Sequence, residues 1–258
     1  MAPESQGGER RGSVPLDART LTRLARRSGR LALERRAGGA TPPMEVREEI
    51  EDWIGSEIAR SAGSAGLTVF GSRDGDTISP AGWKLAVDAI DDPLAYEAGH
   101  PTWSVALALL REGRPISAVV FVPALNDLYV ATGGRMRWQG RALASAGVPM
   151  PGLLLGAGEL QRRSILGLGR RRPHGATSTS YPICLVARGA AEAAIVGPAN
   201  LRELAPGLAL LEATGGELLS MPRGRPLDTA DLARGRTRTP VLAAAAGTGQ
   251  AVLRRLRR

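Results

Sequence analysis

The 258 residues carry 34 basic against 25 acidic side chains, a formal net charge of +9, with 43% hydrophobic residues, 33 glycines and 18 prolines. That apolar content supplies one large α/β domain or two small ones and excludes a wholly disordered chain. No apolar run approaches the roughly 18 residues of a membrane span, and a single cysteine, Cys184, excludes an internal disulfide.

The charge itself points to no nucleic acid. Lys84 is the only lysine, and an Arg, Ala and Gly bias of this kind follows from a GC-rich coding sequence. The arginines gather near the ends (Arg10, Arg11, Arg26, Arg27, Arg254, Arg255, Arg257 and Arg258) and at Arg170 to Arg172, and aromatics make up 3%, too few to stack bases along a strand. With no apolar signal core at the N-terminus, and with Cys184 in an apolar run as a buried structural thiol, the expectation is a soluble cytoplasmic protein with no membrane partner.

Residues 1–15 are polar and Gly-rich and read as a disordered tail, with a single domain over 16–258 whose halves run from about 16–145 and 150–258. From Asp17, an N-cap residue, Leu21, Leu24, Ala25, Leu31 and Ala32 recur at helical spacing as far as Gly38-Gly39. After Pro42-Pro43 a second amphipathic helix carries the stripe Val46, Ile50, Trp53, Ile54 and Ile58. Its carboxylates Glu48, Glu49, Glu51 and Asp52 read as the solvated face.

Leu67 to Phe70 reads as a short buried strand entering the turn GSRDGD, and 85–90 as another. Three β-type runs come next at hairpin spacing, Trp103 to Leu110, Ile116 to Val122 and Leu128 to Thr132, and then the hairpin RMRWQGRAL. In the second half, strands are expected at Gly152 to Gly158, Ala193 to Val196 and Pro240 to Ala246. Helices are expected from about Thr177 to Gly189, over 201–214 before Gly215-Gly216, and at the Arg-rich C-terminus. Alternation without repeats indicates an α/β or α+β layered domain.

Four blocks occur in a fixed order: AVDAIDDPLAYEAGHPTWSVALAL, GRMRWQGRAL, RPHGATSTSYPICLVARGAAEAAI and LRELAPGLALLEATGGEL. In that order the chain resembles the inositol monophosphatase superfamily from about Leu16 onward. The blocks are similar to its W-x-x-D-P-I-D-G-T-x-N-F-x-x-G-x-P motif, its G-A-F-x-N-G-x-x-L hairpin, its R-x-x-G-S-x-A-L helix and its W-D-x-A-A-G-x-x-L-x-x-E-A-G-G block. The resemblance implies an α/β (α+β) sandwich of alternating helix and sheet layers. It also implies Mg²⁺ held by Asp88, the Ile90 carbonyl, Asp91 and Glu203, since hard Mg²⁺ takes oxygen ligands. Asp91 is then also catalytic, and Asp92, His174 and Gly175 fall on the substrate side; His100, in the turn matching G-x-P, reads as structural.

Other positions depart from the family pattern. Gly71-Ser72-Arg73 stands where the family has G-E-E, so the bridging glutamate is a hydroxyl, with Asp74 or Asp76 in the same turn as replacement; Asp74 is the catalytic candidate. Arg47 replaces an acid of the second helix, and Arg202 a tryptophan beside Glu203. Asp92-Pro93 replaces the Gly-Thr whose amides cradle phosphate: proline removes one N–H, and the aspartate caps the helix and repels a dianion.

The functional expectation has two branches. One is a Mg²⁺-dependent phosphatase of a small phosphorylated metabolite, a sugar or cyclitol phosphate, in a specialised (antibiotic-type) bacterial biosynthetic pathway. The other is a repurposed family member, acting as a non-hydrolytic enzyme subunit or as a structural partner of another pathway protein. The resemblance further implies a homodimer, with a heteromer formed with such a pathway protein as the alternative.

Overall fold

The computed structural model describes residues 14–39, 41–61, 66–143, 154–156, 174–175 and 178–256. Most of the expected tail, residues 1–15, lies outside them, as do 144–153, 157–173 and 176–177, which include both ends of the strand expected at Gly152 to Gly158 and the expected helix start at Thr177.

Helix α1 (Ala18–Ala37) starts where the sequence offers a cap: the Asp17 carboxylate accepts from the Thr20 amide at 2.8 Å. Leu21, Leu24, Ala25 and Ala32 are buried, one side of a 3.6-residue repeat. Helix α2 (Pro43–Ala59) opens with proline at its first position, where no amide is needed, and buries Val46, Ile50, Ile54 and Ile58. Both lie on one face of a seven-stranded sheet formed by β1 (Leu67–Phe70), β2 (Trp83–Asp91), β3 (Ser104–Arg111), β4 (Arg114–Val122), β5 (Asp127–Thr132), β6 (Arg135–Trp138) and β7 (Arg141–Leu143). The strands run in that order across the sheet, with β1 and β2 parallel and every later neighbour antiparallel. The β3–β4 hairpin closes through Glu112 and Gly113, both at positive φ (50° and 75°), as a tight hairpin turn requires.

The central strands carry near-continuous apolar runs because both faces are covered. Leu85, Val87, Val105, Leu107, Leu109, Val119 and Phe121 pack toward α1 and α2. Their alternates Ala86, Ala106, Ala108, Ala118, Val120 and Val122 pack the other way, onto α4 (Ser180–Ala187) and α5 (Leu201–Glu212). The small alanines on that side let the middle helices lie close to the sheet.

Beyond α4 and α5 stands a second sheet of β8 (Leu154–Gly156), β9 (His174–Gly175), β10 (Ala193–Val196), β11 (Glu217–Ser220), β12 (Arg225–Pro226) and β13 (Val241–Ala244), in the order β12-β11-β13-β10-β8-β9. Its inner residues Ala194, Val196, Val241 and Ala243 join the middle core, and Ala193, Ile195, Leu242 and Ala244 face the C-terminal helix, which buries Val252 and Leu253. Two short helices complete the described chain: α3 (Pro93–Glu97), and α6 (Thr229–Ala233) ahead of the C-terminal α7 (Gly249–Leu256). The layers therefore alternate helix, sheet, helix, sheet, helix, the sandwich that the four blocks imply. Strands β11 and β12 and helix α6 fall between Gly216 and Pro240, where the sequence suggests no element.

One end of this stack gathers the C-terminal end of β2, the turn after β1, the first turns of α4 and α5, and a buried face of α2.

Candidate functional site

Strand β2 carries Asp88, Ile90 and Asp91 into the interior, and its register with β3 shifts between Asp88 and Asp91, so the two carboxylates emerge from an irregular stretch. Ile90 turns its side chain into the core beneath α1 and α2. Asp88, 1% exposed, is held from both sides. Nη2 of Arg47, on α2, donates to its Oδ1 at 2.7 Å, and Nη1 of Arg202, on α5, lies 3.1 Å from its Oδ2. The arginines are themselves buried, at 8% and 6% exposure.

From this centre the charges alternate outward in both directions. Arg47 Nε donates to Glu51 Oε1 at 3.2 Å one helical turn on, and Glu51 Oε2 accepts from the Ser72 amide and hydroxyl at 2.8 and 2.7 Å. Arg202 Nη2 donates to Glu203 Oε1 at 3.4 Å, and Arg236, from the segment between α6 and β13, lies 3.1 Å from Glu203 Oε2. Arg236 also reaches Asp76 at 3.5 Å, and Asp76 accepts from Asn200 Nδ2. The network Ser72–Glu51–Arg47–Asp88–Arg202–Glu203–Arg236–Asp76 thus crosses the whole end of the sandwich. Glu203 has a further task as the third residue of a capping box, its Oε2 accepting from the Asn200 amide at 3.1 Å while the Asn200 side chain accepts from the Glu203 amide.

Asp91 faces the start of α4. It accepts from the amides of Thr179 (3.0 Å) and Ser180 (2.7 Å) and from the hydroxyls of Ser178 (2.9 Å) and Ser104 (3.2 Å), so it caps a helix that its own strand only touches. Burial, together with the negative charge of Asp88, pushes its carboxyl up to about 6, and the bonds from Thr179, Ser180 and Ser178 offset part of the rise.

The following residue, Asp92, adopts φ 101° and ψ 75° and accepts from the Ala95 amide at 2.9 Å as the N-cap of α3, with Pro93 first in that helix. Burial raises its carboxyl above the ordinary range. The cap that the sequence suggests is therefore formed, and it occupies the helix end that would otherwise be open to an anion.

Other sequence candidates lie apart from this cluster or differ from expectation. Asp74 does not enter it: its Oδ2 accepts from the Gly71 amide at 2.7 Å and closes the 3₁₀ turn Ser72–Asp74. His174 and Gly175 form β9 at the edge of the second sheet, paired with β8. His100 lies in the turn after α3, its amide bonded to the Ala95 carbonyl. Cys184 is fully buried, and burial raises its thiol well above the usual range. Glu49 and Asp52 do face solvent, in ion pairs with Arg35 and Arg73, but Glu51 does not: it is a buried member of the network, a correction to its place on the solvated face of α2. Its position one turn after Arg47, on the buried stripe beside Ile50 and Ile54, is the signal that marked it.

Mg²⁺ requires near-octahedral oxygens at about 2.0–2.1 Å, and the residues present do not fit it. Both Asp88 oxygens are turned to guanidinium groups, and Glu203 is shared among two arginines and a backbone amide. A dication about 4 Å from one guanidinium would be repelled by roughly 8 kcal/mol at an effective dielectric constant of 20, and there are two. Among the described residues, no three His, Cys, Asp or Glu side chains come together as a metal-holding group.

The chain is similar to a probable inositol 1-monophosphatase, ImpA, of Mycobacterium tuberculosis, at 28% identity over 62% of this chain and 65% of the relative. It is also similar to a histidinol-phosphatase of the same organism (28%, over 70% of this chain and 75% of the relative). The first of these matches thus spans just under two thirds of the relative's length. Among solved structures, inositol monophosphatase II of Staphylococcus aureus superimposes with a TM-score of 0.76 at 20% identity, covering 90% of this chain and 92% of that one. No helix among the described residues is long and apolar enough to cross a membrane. The model of the inositol monophosphatase family matches residues 19–248, nearly the whole chain, and this protein belongs to that family.

Proposed function

We propose that this chain is a non-hydrolytic member of the inositol monophosphatase family, acting as a subunit or structural partner of another protein rather than as a metal-dependent phosphatase. The observation that carries the proposal is the pairing of Asp88 with both Arg47 and Arg202. Metal-assisted hydrolysis needs a cation that polarises phosphate and lowers the pKa of its water. Here the central carboxylate already has two positive partners, neither able to bind water as a metal does. Asp92 and Pro93 support the same reading: the α3 end lacks one amide and holds a carboxylate, where a preorganised donor is worth about 3 kcal/mol to a transition state.

The second reading, a Mg²⁺-dependent phosphatase of a sugar or cyclitol phosphate, is favoured by the names of relatives, which include an inositol 1-monophosphatase, a histidinol-phosphatase and a 3'(2'),5'-bisphosphate nucleotidase. Purified protein incubated with Mg²⁺ or Mn²⁺ and a panel of inositol, sugar, histidinol and nucleotide phosphates separates the two. The expected result is no phosphate release above a protein-free control. Turnover that an Asp88→Asn substitution abolishes would return the chain to the hydrolases.

A further inference from the structure

We infer that Arg47 and Arg202 form a two-part lock that keeps divalent cations out of the Asp88 site, and that both parts must be removed before the site admits one. The inference deepens the non-hydrolytic reading and rests on it. Each arginine takes a different oxygen of Asp88, Arg47 on Oδ1 and Arg202 on Oδ2, so removal of either frees one oxygen and leaves a guanidinium on the other. A cation approaching the freed oxygen still meets a full positive charge one carboxylate away.

Each part is also anchored twice. Arg47 is tied to Glu51 one turn along α2, and Glu51 is fixed in turn by two hydrogen bonds from Ser72. Arg202 is tied to Glu203, whose carboxylate is pinned by the capping box and by Arg236. A guanidinium that swings away from Asp88 must therefore leave a second carboxylate as well, and α2 and α5 approach from opposite faces of the sheet. Nε and Nη1 of Arg202 are buried with no hydrogen-bond acceptor among the described residues, so this side chain is held toward Asp88 by charge, while its Nη2 donates to Glu203.

Once both arginines are replaced by neutral side chains of similar reach, both Asp88 oxygens lose their cationic partners and become hard ligands open to a divalent cation, whose remaining positions fall to water.

The test uses Mn²⁺ as probe, with binding read from water-proton relaxation or from the spin-resonance signal of free Mn²⁺. The proteins compared are the unsubstituted chain, Arg47→Gln, Arg202→Gln, the double variant, and the double variant carrying Asp88→Asn. The double variant is expected to bind Mn²⁺ at least tenfold more tightly than the unsubstituted chain or either single variant, and Asp88→Asn is expected to remove that gain. A folded double variant that binds no better than the unsubstituted chain overturns the lock. Should the double variant fail to fold, melting of the unsubstituted chain decides: equal midpoints in EDTA and in millimolar Mg²⁺ support the lock, and a rise of several degrees with Mg²⁺ overturns it. Cation binding by the unsubstituted chain without turnover sinks the lock alone. Turnover that persists in EDTA sinks the non-hydrolytic reading alone, and EDTA-sensitive turnover sinks both.

Discussion

If Asp88 is the counter-ion of two buried arginines, Asp88→Asn must cost more than the loss of either arginine. The substitution keeps the shape and one acceptor but removes the charge, leaving Arg47 and Arg202 to face each other with Glu51 (3.2 Å) and Glu203 (3.4 Å) as their ion-pair partners and Asp91 as a further negative charge acting on Arg47. Breaking a buried ion pair by removal of one partner costs about 3–5 kcal/mol, because the remaining charge is stranded. Arg47→Met or Arg202→Met leaves Asp88 still paired with the other guanidinium, and each should cost about 1.5–3 kcal/mol, the range of hydrogen bonds to charged groups. For a chain of this size, about 3–5 kcal/mol corresponds to a fall in melting temperature of roughly 6–20 °C. Urea unfolding followed by fluorescence of the four tryptophans and by circular dichroism gives the free energies. If Asp88→Asn costs less than about 1 kcal/mol, or less than both arginine variants, Asp88 is not the hub of the network.

Asp91 makes stability depend on pH. Its carboxyl is pushed up to about 6 in the folded chain against about 3.9 unfolded, so folding is favoured by its proton below about pH 4 and that contribution is lost as pH rises through about 6, some 3 kcal/mol in all. Asp91→Asn has no such proton, so the unfolding free energies of the two proteins, measured from pH 4 to 7, should shift steadily in the variant's favour; a constant difference would refute the assignment. Asp92 sits at φ 101° and caps α3, so Asp92→Gly should cost a few tenths of a kcal/mol and Asp92→Ala about 2, since alanine loses the cap and also bears the left-handed conformation. Equal costs in urea melts would show that the backbone there is unstrained. A Cβ at Gly207 would lie 2.9 Å from Ile183 where α5 meets α4. Gly207→Ala is therefore expected to cost about 1–3 kcal/mol, partly restored by Ile183→Val in the double variant.

The fold was largely legible because its signals are local and redundant. Asp17 before a periodic apolar stripe, Glu112-Gly113 between two β-type runs and Gly215-Gly216 after α5 each mark an element end by backbone chemistry that needs no partner. Strands β11 and β12 were not, since Glu217–Ser220 and Arg225–Pro226 are short and are defined by pairing with β13 and with each other. In the site, Asp88, Asp91 and the Asp92 cap were visible from motif and N-cap chemistry. That Arg47 is an ion-pair partner of Asp88, 41 residues on, was not, because a charged residue on a helix reads as solvated until tertiary packing brings its counter-ion. Arg236 was hidden for the same reason, 33 residues from Glu203 and 160 from Asp76.

The two aspartates also show why retained acidic residues are weak evidence for retained chemistry. Each has a complete structural occupation that needs no cation: Asp88 neutralises a pair of guanidiniums, and Asp91 closes the N-terminus of α4 through two amides and the Ser178 hydroxyl while also accepting from Ser104 on β3. Removal of either leaves buried polar groups unpaired, at a cost independent of any reaction. A family motif read from carboxylates alone would therefore score this chain as a metallophosphatase whether or not it hydrolyses anything. The discriminating positions are the cationic and imino residues around them, Arg47, Arg202 and Pro93, because these decide whether a carboxylate faces a metal, a phosphate or an arginine. In this fold the charge of the neighbours carries the functional information, and it is there that activity should be read and altered.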